Sequence, residues 1–204
     1  MLRRHIFLVS LVSAIGFTGT VQATPAVGQQ APEFSLSDTS GKTVRLSDYR
    51  GKHVVLEWVN PGCPYVRKHY NSANMQGTQK EVAGKGVVWL AINSTSESHP
   101  DYLAPAQLAR WMAGQNAVPS NTLMDEDGAV GKAYGARTTP HMYIVNPVGV
   151  LVYAGGIDSI PSARADDIKT AVNYVKQSIE DSLAGKPLRN AVTRPYGCSV
   201  KYKS

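Results

Sequence analysis

One stretch constrains this chain more than any other: Val59-Asn60-Pro61-Gly62-Cys63-Pro64-Tyr65-Val66-Arg67. It joins an apolar run, His53 to Val59, to a segment whose composition predicts a helix from Pro64 to Ala83. Proline is tolerated in the first helical turn, where its missing amide hydrogen costs nothing. Cys63 is therefore expected at the helix N-terminus, where free backbone amides and the macrodipole favour an anion. A thiol held there releases its proton more readily, and the thiolate is the reactive species. Arg67, four residues on, shares that helix face and is expected to favour the thiolate or to serve as a surface charge. A redox thiol enzyme is the first reading.

The N-terminus reads as a secretory leader over residues 1–23. Arg3 and Arg4 precede an apolar stretch, Ile6 to Phe17, and Val21-Gln22-Ala23 offers a small residue for cleavage. The stretch is shorter than the roughly 20 residues a membrane span needs. No later segment is apolar enough to cross, so the mature chain, residues 24–204, is expected to be exported to a periplasm or beyond, with no membrane span. About 180 residues suffice for one well-buried domain. The formal charge of +6 falls by two with the leader, and the remaining basic residues are scattered. Without a basic, aromatic-interleaved stretch, nucleic acid is not an expected partner.

Both cysteines, Cys63 and Cys198, survive cleavage. In an oxidising compartment they can form a structural bridge, stay free, or cycle. A bridge closing a loop of about 135 residues would stabilise the chain by roughly 5 kcal/mol in the chain-entropy model. Two distant cysteines are too few for structural zinc, and no cofactor signature of nucleotide or haem type is present.

Along the chain, Phe34–Leu36 and Val44–Leu46 flank the turn residues Asp38-Thr39-Ser40-Gly41-Lys42, a hairpin pattern. His53–Val59 and Val87–Asn93 read as central strands covered on both faces. Glu57 interrupts the first of them. It must either pair with a cation or carry a shifted pKa and handle protons near Cys63. His69 and His141 are further acid–base candidates. A helix is expected from Pro105 to Asn116, a strand at Thr122–Met124, and a short helix from Gly128 to Tyr134. The acidic turn Asp125-Glu126-Asp127-Gly128 lacks the ligand spacing of a calcium loop and reads as a solvated turn. Thr139-Pro140 precedes a strand, His141–Val145, that turns back through Asn146-Pro147-Val148-Gly149 to Val150–Tyr153. Ile168, Val172, Val175, Ile179 and Leu183 recur at helical steps and predict one last helix. The tail, residues 188–204, has no periodicity. Alternating β and α elements with a closing hairpin predict an α/β fold, a mixed central sheet with helices on both faces and an N-terminal β-hairpin.

These residues resemble the thioredoxin-like superfamily, in its peroxiredoxin-related redoxin (AhpC/TSA-like) branch. The likeness runs in order through Gly28-Gln29-Gln30-Ala31-Pro32-Glu33-Phe34, Leu46-Ser47-Asp48-Tyr49-Arg50-Gly51-Lys52, Asn60-Pro61-Gly62-Cys63-Pro64-Tyr65-Val66 and Tyr134-Gly135-Ala136-Arg137-Thr138-Thr139-Pro140. A group within it also ends in a Gly-Cys-Ser-x-Lys tail, matched by Gly197-Cys198-Ser199-Val200-Lys201. The resemblance implies a thioredoxin fold, a cis Pro140 whose loop, with Thr139, faces the thiol, and Cys63 as reactive cysteine. The chain departs from thioredoxins in lacking a second cysteine beside Cys63, and from peroxiredoxins in having Asn60 and Leu56 where they carry Thr and Pro. Thr138 stands where relatives often carry another cysteine, which leaves Cys198 as resolving thiol. The implied activity is peroxide reduction, with the Asn60 amide donating to the peroxide. Protein thiol–disulfide exchange and a non-catalytic module with a structural Cys63–Cys198 bridge are the alternatives. A flexible tail is expected to carry Cys198 several ångströms to Cys63, and a thioredoxin-type dithiol is the expected reductant.

Overall fold

The computed structural model describes residues 25–203. The expected leader, residues 1–23, lies outside them. Nine strands and five α-helices follow one another: β1 Ser35–Asp38, β2 Thr43–Arg45, β3 Val54–Trp58, α1 Pro64–Asn71, α2 Asn74–Ala83, β4 Val88–Asn93, α3 Pro105–Gly114, β5 Asn121–Met124, α4 Ala129–Tyr134, β6 Thr138–Thr139, β7 His141–Val145, β8 Leu151–Gly155, α5 Tyr174–Leu183 and β9 Cys198–Ser199. Seven strands make one sheet in the order β2-β1-β5-β4-β3-β7-β8. The pairs β3–β4 and β4–β5 are parallel, and the flanking pairs are antiparallel. The sheet is mixed, as the alternation of elements implies.

Strand β3 runs through the middle and is buried along its length. Its side chains alternate between faces. Val55 packs with residues of α1, α2, α3 and α5, among them Val66, Tyr70, Met75, Val82, Leu108, Val175 and Ile179. Val54, Leu56 and Trp58 face the opposite core, with Tyr134 of α4 and residues of the N-terminal hairpin. This two-sided burial is why β3 and β4 read as apolar runs, and it gives the thioredoxin-like α/β arrangement with helices on both faces.

Two expected helices are shorter than their patterns. The segment from Pro64 to Ala83 is broken, because Ala73 is left-handed at φ 59°. Ser72 Oγ–H turns back onto Lys68 O at 2.7 Å, and Gln76 Nε2–H satisfies Tyr70 O at 2.8 Å, closing α1 with side-chain groups. The last helix begins at Tyr174 instead of Ile168. Asn173 caps it by accepting from Lys176 N at 3.0 Å. The residues before it turn towards the loop after β8, with Ser159 N–H bonded to Val172 O at 3.1 Å. Of the five periodic residues only Val175 and Ile179 are buried.

The acidic turn is also corrected. Asp125 is buried, and its carboxylate accepts from Ser94 Oγ, from Val130 N at 3.1 Å and from Gly131 N at 2.9 Å. It anchors the start of α4 and is not a solvated turn residue.

The largest departure is the tail, expected to be flexible and found docked. Thr193 N–H donates to Ala154 O, Val200 N–H to Arg137 O, Ser96 N–H to Lys201 O, and Tyr202 Oη–H to Ala136 O, at 2.7 to 3.1 Å. Strand β9 pairs antiparallel with β6 in a two-stranded ribbon, Thr139 opposite Cys198. The backbone donors and acceptors of a segment without periodicity are thus satisfied by elements far away in sequence.

Candidate active site

Cys63 is the N-cap of α1, with Pro64 at the first helical position. Its carbonyl accepts Arg67 N at 3.0 Å, and its own N–H donates to Asn60 O at 3.0 Å. The preceding loop is tight. Asn60 Oδ1 accepts Gly62 N–H at 2.7 Å, and Asn60 Nδ2 donates to Asp101 Oδ2 at 3.1 Å. A Cβ at Gly62 would lie 2.7 Å from Asp101 Cγ, so any larger residue would have to displace the Asp101 carboxylate that holds Asn60.

The Cys63 thiol is 1% exposed and donates to Thr139 O at 3.0 Å. Its sulfur lies 2.6 Å from that of Cys198. The peptide between Thr139 and Pro140 is cis, and it carries the chain from β6 into β7. Gly197 presses against that turn: at φ +136° its Cβ would fall 2.1 Å from Thr139 O. The structure therefore brings together Cys63, Cys198, Thr139 and Pro140. The expectation that Cys198 must travel several ångströms is corrected, because the 2.6 Å separation is within about half an ångström of a disulfide at about 2 Å. Burial and the contact with Cys63 push the Cys198 thiol up to about 12, so at neutral pH it keeps its proton. Cys198 is the more exposed of the two cysteines.

The other expected residues have different places. Arg67 is exposed, and its Nε–H donates to Pro61 O at 2.8 Å, bracing the loop. Glu57 is fully buried. It pairs with no cation among the described residues, and it accepts from Tyr70 Oη–H at 2.9 Å and Trp89 Nε1–H at 2.8 Å. Burial raises its carboxyl to about 7 against those hydrogen bonds. Its hydrogen bonds go to these rings and none goes to either sulfur. Of its two sequence readings the cation pair is set aside, and the shifted pKa is what the structure contains. His141 is buried beside Tyr143, and burial lowers it to about 3. His69 is buried too, lowered by burial to about 4. Both stay neutral above those values and neither approaches the sulfurs by hydrogen bond.

Sequence reasoning missed Asp101, Asp158 and Tyr196. Asp101 lies 41 residues from the Asn60 it holds, and Tyr196 lies 38 from Asp158. No local pattern marks such pairs; only the fold brings them together. Among the described residues no cluster of three or more His, Cys, Asp or Glu is arranged for a metal, and no helix is long and apolar enough to cross a membrane.

Residues 27–154 match the family model described as AhpC/TSA family, a match that ends before the tail bearing Cys198. A thiol-disulfide oxidoreductase ResA of Geobacillus kaustophilus is 31% identical over 147 residues, covering 64% of this chain and 84% of that protein. Its namesake from Geobacillus thermodenitrificans is 29% identical over 148 residues, covering 65% and 85%. The crystal structure of an uncharacterized conserved protein from Geobacillus kaustophilus superposes with a TM-score of 0.74 at 27% identity, covering 87% of this chain and 93% of that one.

Proposed function

The chain belongs to the AhpC/TSA family, and on that premise we propose that it is a thiol–disulfide oxidoreductase whose working pair is Cys63 and Cys198. The observation that carries this reading is the 2.6 Å approach of the two sulfurs at the start of α1. The ResA relatives, named as thiol-disulfide oxidoreductases, support exchange over peroxide reduction as the activity.

In the proposed cycle the Cys63 sulfur attacks one sulfur of a protein disulfide. A mixed disulfide forms and one substrate thiolate departs. The Cys198 sulfur then attacks Cys63, releasing the second substrate thiolate and closing the Cys63–Cys198 bond. The substrate gains two electrons and two protons, and the enzyme loses the same. As Cys198 attacks, its proton leaves with the departing substrate thiolate. A thioredoxin-type dithiol restores the pair, entering at Cys198, the more exposed cysteine. Asn60 and Arg67 shape the loop around Cys63, Thr139 and Pro140 wall the sulfurs, and Glu57 lies buried on the α1 side of the sheet. Residues 1–23 are read as a leader, which would deliver residues 24–204 to an oxidising compartment suited to this chemistry.

Peroxide reduction would use the same two sulfurs. It asks Asn60 to donate to the peroxide, but both ends of that amide are engaged, by Gly62 and Asp101. Stopped-flow oxidation of the reduced protein separates the readings. A protein disulfide should oxidise it faster than hydrogen peroxide does. Cys63→Ser should abolish the reaction, and Cys198→Ser should accumulate the mixed disulfide. Faster oxidation by peroxide, or undiminished exchange in Cys63→Ser, would overturn the proposal.

A further inference from the structure

Behind the two sulfurs lies a buried polar cluster that the exchange cycle does not use. Its centre is Asp158, in the loop after β8. Asp158 Oδ1 accepts from Tyr196 Oη–H and from Ile160 N at 3.1 Å, and Oδ2 lies 3.4 Å from Lys68 Nζ. His69 Nε2 is 3.2 Å from Tyr196 Oη and 3.8 Å from Asp158 Oδ2. Lys68 Nζ also stands 5.6 Å from the centre of the Tyr196 ring, and Tyr65 meets that ring edge-on at 5.8 Å between centroids.

The hydrogens can be followed through this cluster. Asn74 Nδ2 lies 2.8 Å from His69 Nδ1 and donates to it, which leaves the single proton of a neutral imidazole on Nε2. Nε2–H then donates to Tyr196 Oη, and Tyr196 Oη–H donates to Asp158. Asp158 and the side chains of Lys68, His69 and Tyr196 are almost wholly withdrawn from solvent. Burying an ion pair seldom gains stability over apolar packing, but leaving one partner alone is costly. Such a cluster holds its members in one geometry.

Through Asp158, in the loop after β8, the cluster joins the two segments that carry the sulfurs. Tyr65, Lys68 and His69 are in α1, whose N-cap is Cys63, and Tyr196 stands two residues before Cys198. We propose that Tyr196 and Asp158 are positioning residues for Cys198: the Tyr196 hydroxyl, latched to Asp158 against α1, seats the tail so that Cys198 meets Cys63. In the reduced protein the latch meets the ordering cost of the tail before any sulfur–sulfur bond forms. Without it, Cys198 would be held only by the remaining tail contacts, among them the β6–β9 pairing and the Thr193 and Val200 backbone bonds, and would meet Cys63 at a lower effective concentration.

The proposal rests on Cys63 and Cys198 acting as a cycling pair, and two readouts keep the two claims apart. The first is a glutathione redox titration of wild type, Tyr196→Phe and Asp158→Asn, with Tyr49→Phe as a control hydroxyl bonded elsewhere, to Asn121. Tyr196→Phe should lower the effective concentration about tenfold, a potential about 30 mV less negative, and Tyr49→Phe should leave it unchanged. The second is the rate at which N-ethylmaleimide modifies Cys63 in the reduced proteins, read by peptide mass spectrometry. Tyr196→Phe should raise it about tenfold, whether or not wild type forms the disulfide. A wild type that forms no disulfide but shows this latch-dependent protection sinks the cycling pair and leaves the latch standing. Unchanged potential and unchanged Cys63 modification in Tyr196→Phe would overturn the latch, even if Asp158→Asn fails to fold.

Discussion

Glu57 sits at the centre of β3 with two ring donors and no cation among the described residues. Its carboxyl is raised by burial from 4.5 to about 7. Between those values the folded chain keeps a proton that the unfolded chain has released. The stability from this group is therefore full below about pH 4.5 and shrinks as pH rises to 7. Replacing Glu57 by Gln keeps an acceptor for Tyr70 and Trp89 and removes the titration. At pH 8 the Glu57→Gln protein should be more stable than wild type by on the order of 3 kcal/mol, and near pH 4.5 the gap should close. Urea unfolding at several pH values measures this, and parallel profiles would refute the assignment. The buried carboxylate was legible in the sequence as an anomaly in an apolar strand. Its partners were not, because Trp89 lies 32 residues away on a neighbouring strand.

At the scale of elements, the expected and observed structures differ where a side chain ends a helix or a distant segment completes one. Composition runs α1 into α2, and periodicity starts α5 at Ile168. The left-handed Ala73, with Ser72 and Gln76, closes α1, and Asn173 caps the start of α5; a spacing pattern contains none of these. The tail had no period because its burial follows pairing with β6 and the loop after β8, not an amphipathic face of its own. Gly197 is the most demanding residue of that docking. Its φ of +136° and the 2.1 Å that would separate a Cβ from Thr139 O leave no room for alanine. The opposing atom is backbone and cannot swing aside, so Gly197→Ala should lift β9 from β6. We expect a loss of roughly 1–3 kcal/mol and a Cys63 that a maleimide modifies at least several-fold faster. Thermal melting and timed alkylation test the two effects. Wild-type protection of Cys63 in Gly197→Ala would mean that the ribbon tolerates the side chain and does not control access.

Taken as a whole, the molecule divides into a self-sufficient sheet and a strap across its active end. All seven strands of the main sheet lie between Ser35 and Gly155, and both cores are built mainly from this region and α5. That part was legible because two-sided apolar strands alternating with helices admit few layered arrangements. The strap adds no strand to the main sheet, and it brings Tyr196, Gly197 and Cys198 to the start of α1. A chain ending after Asn190 should therefore still fold, keeping Arg189 on Asp181, where it closes the end of α5. Its far-UV circular dichroism should stay close to wild type with a melting temperature several degrees lower. Cys63, 1% exposed under the tail, should react at the rate of an accessible thiol. Lacking Cys198, the shortened protein should stop at the mixed disulfide with a protein substrate, giving a trapped covalent complex on non-reducing gels. Full-length Cys198→Ser should form that complex more slowly, because its tail still covers Cys63. If the shortened chain were unfolded, the strap would be part of the core. If it folded with Cys63 still protected, something other than the tail would cover the thiol, and the Tyr196 latch would have nothing to guard.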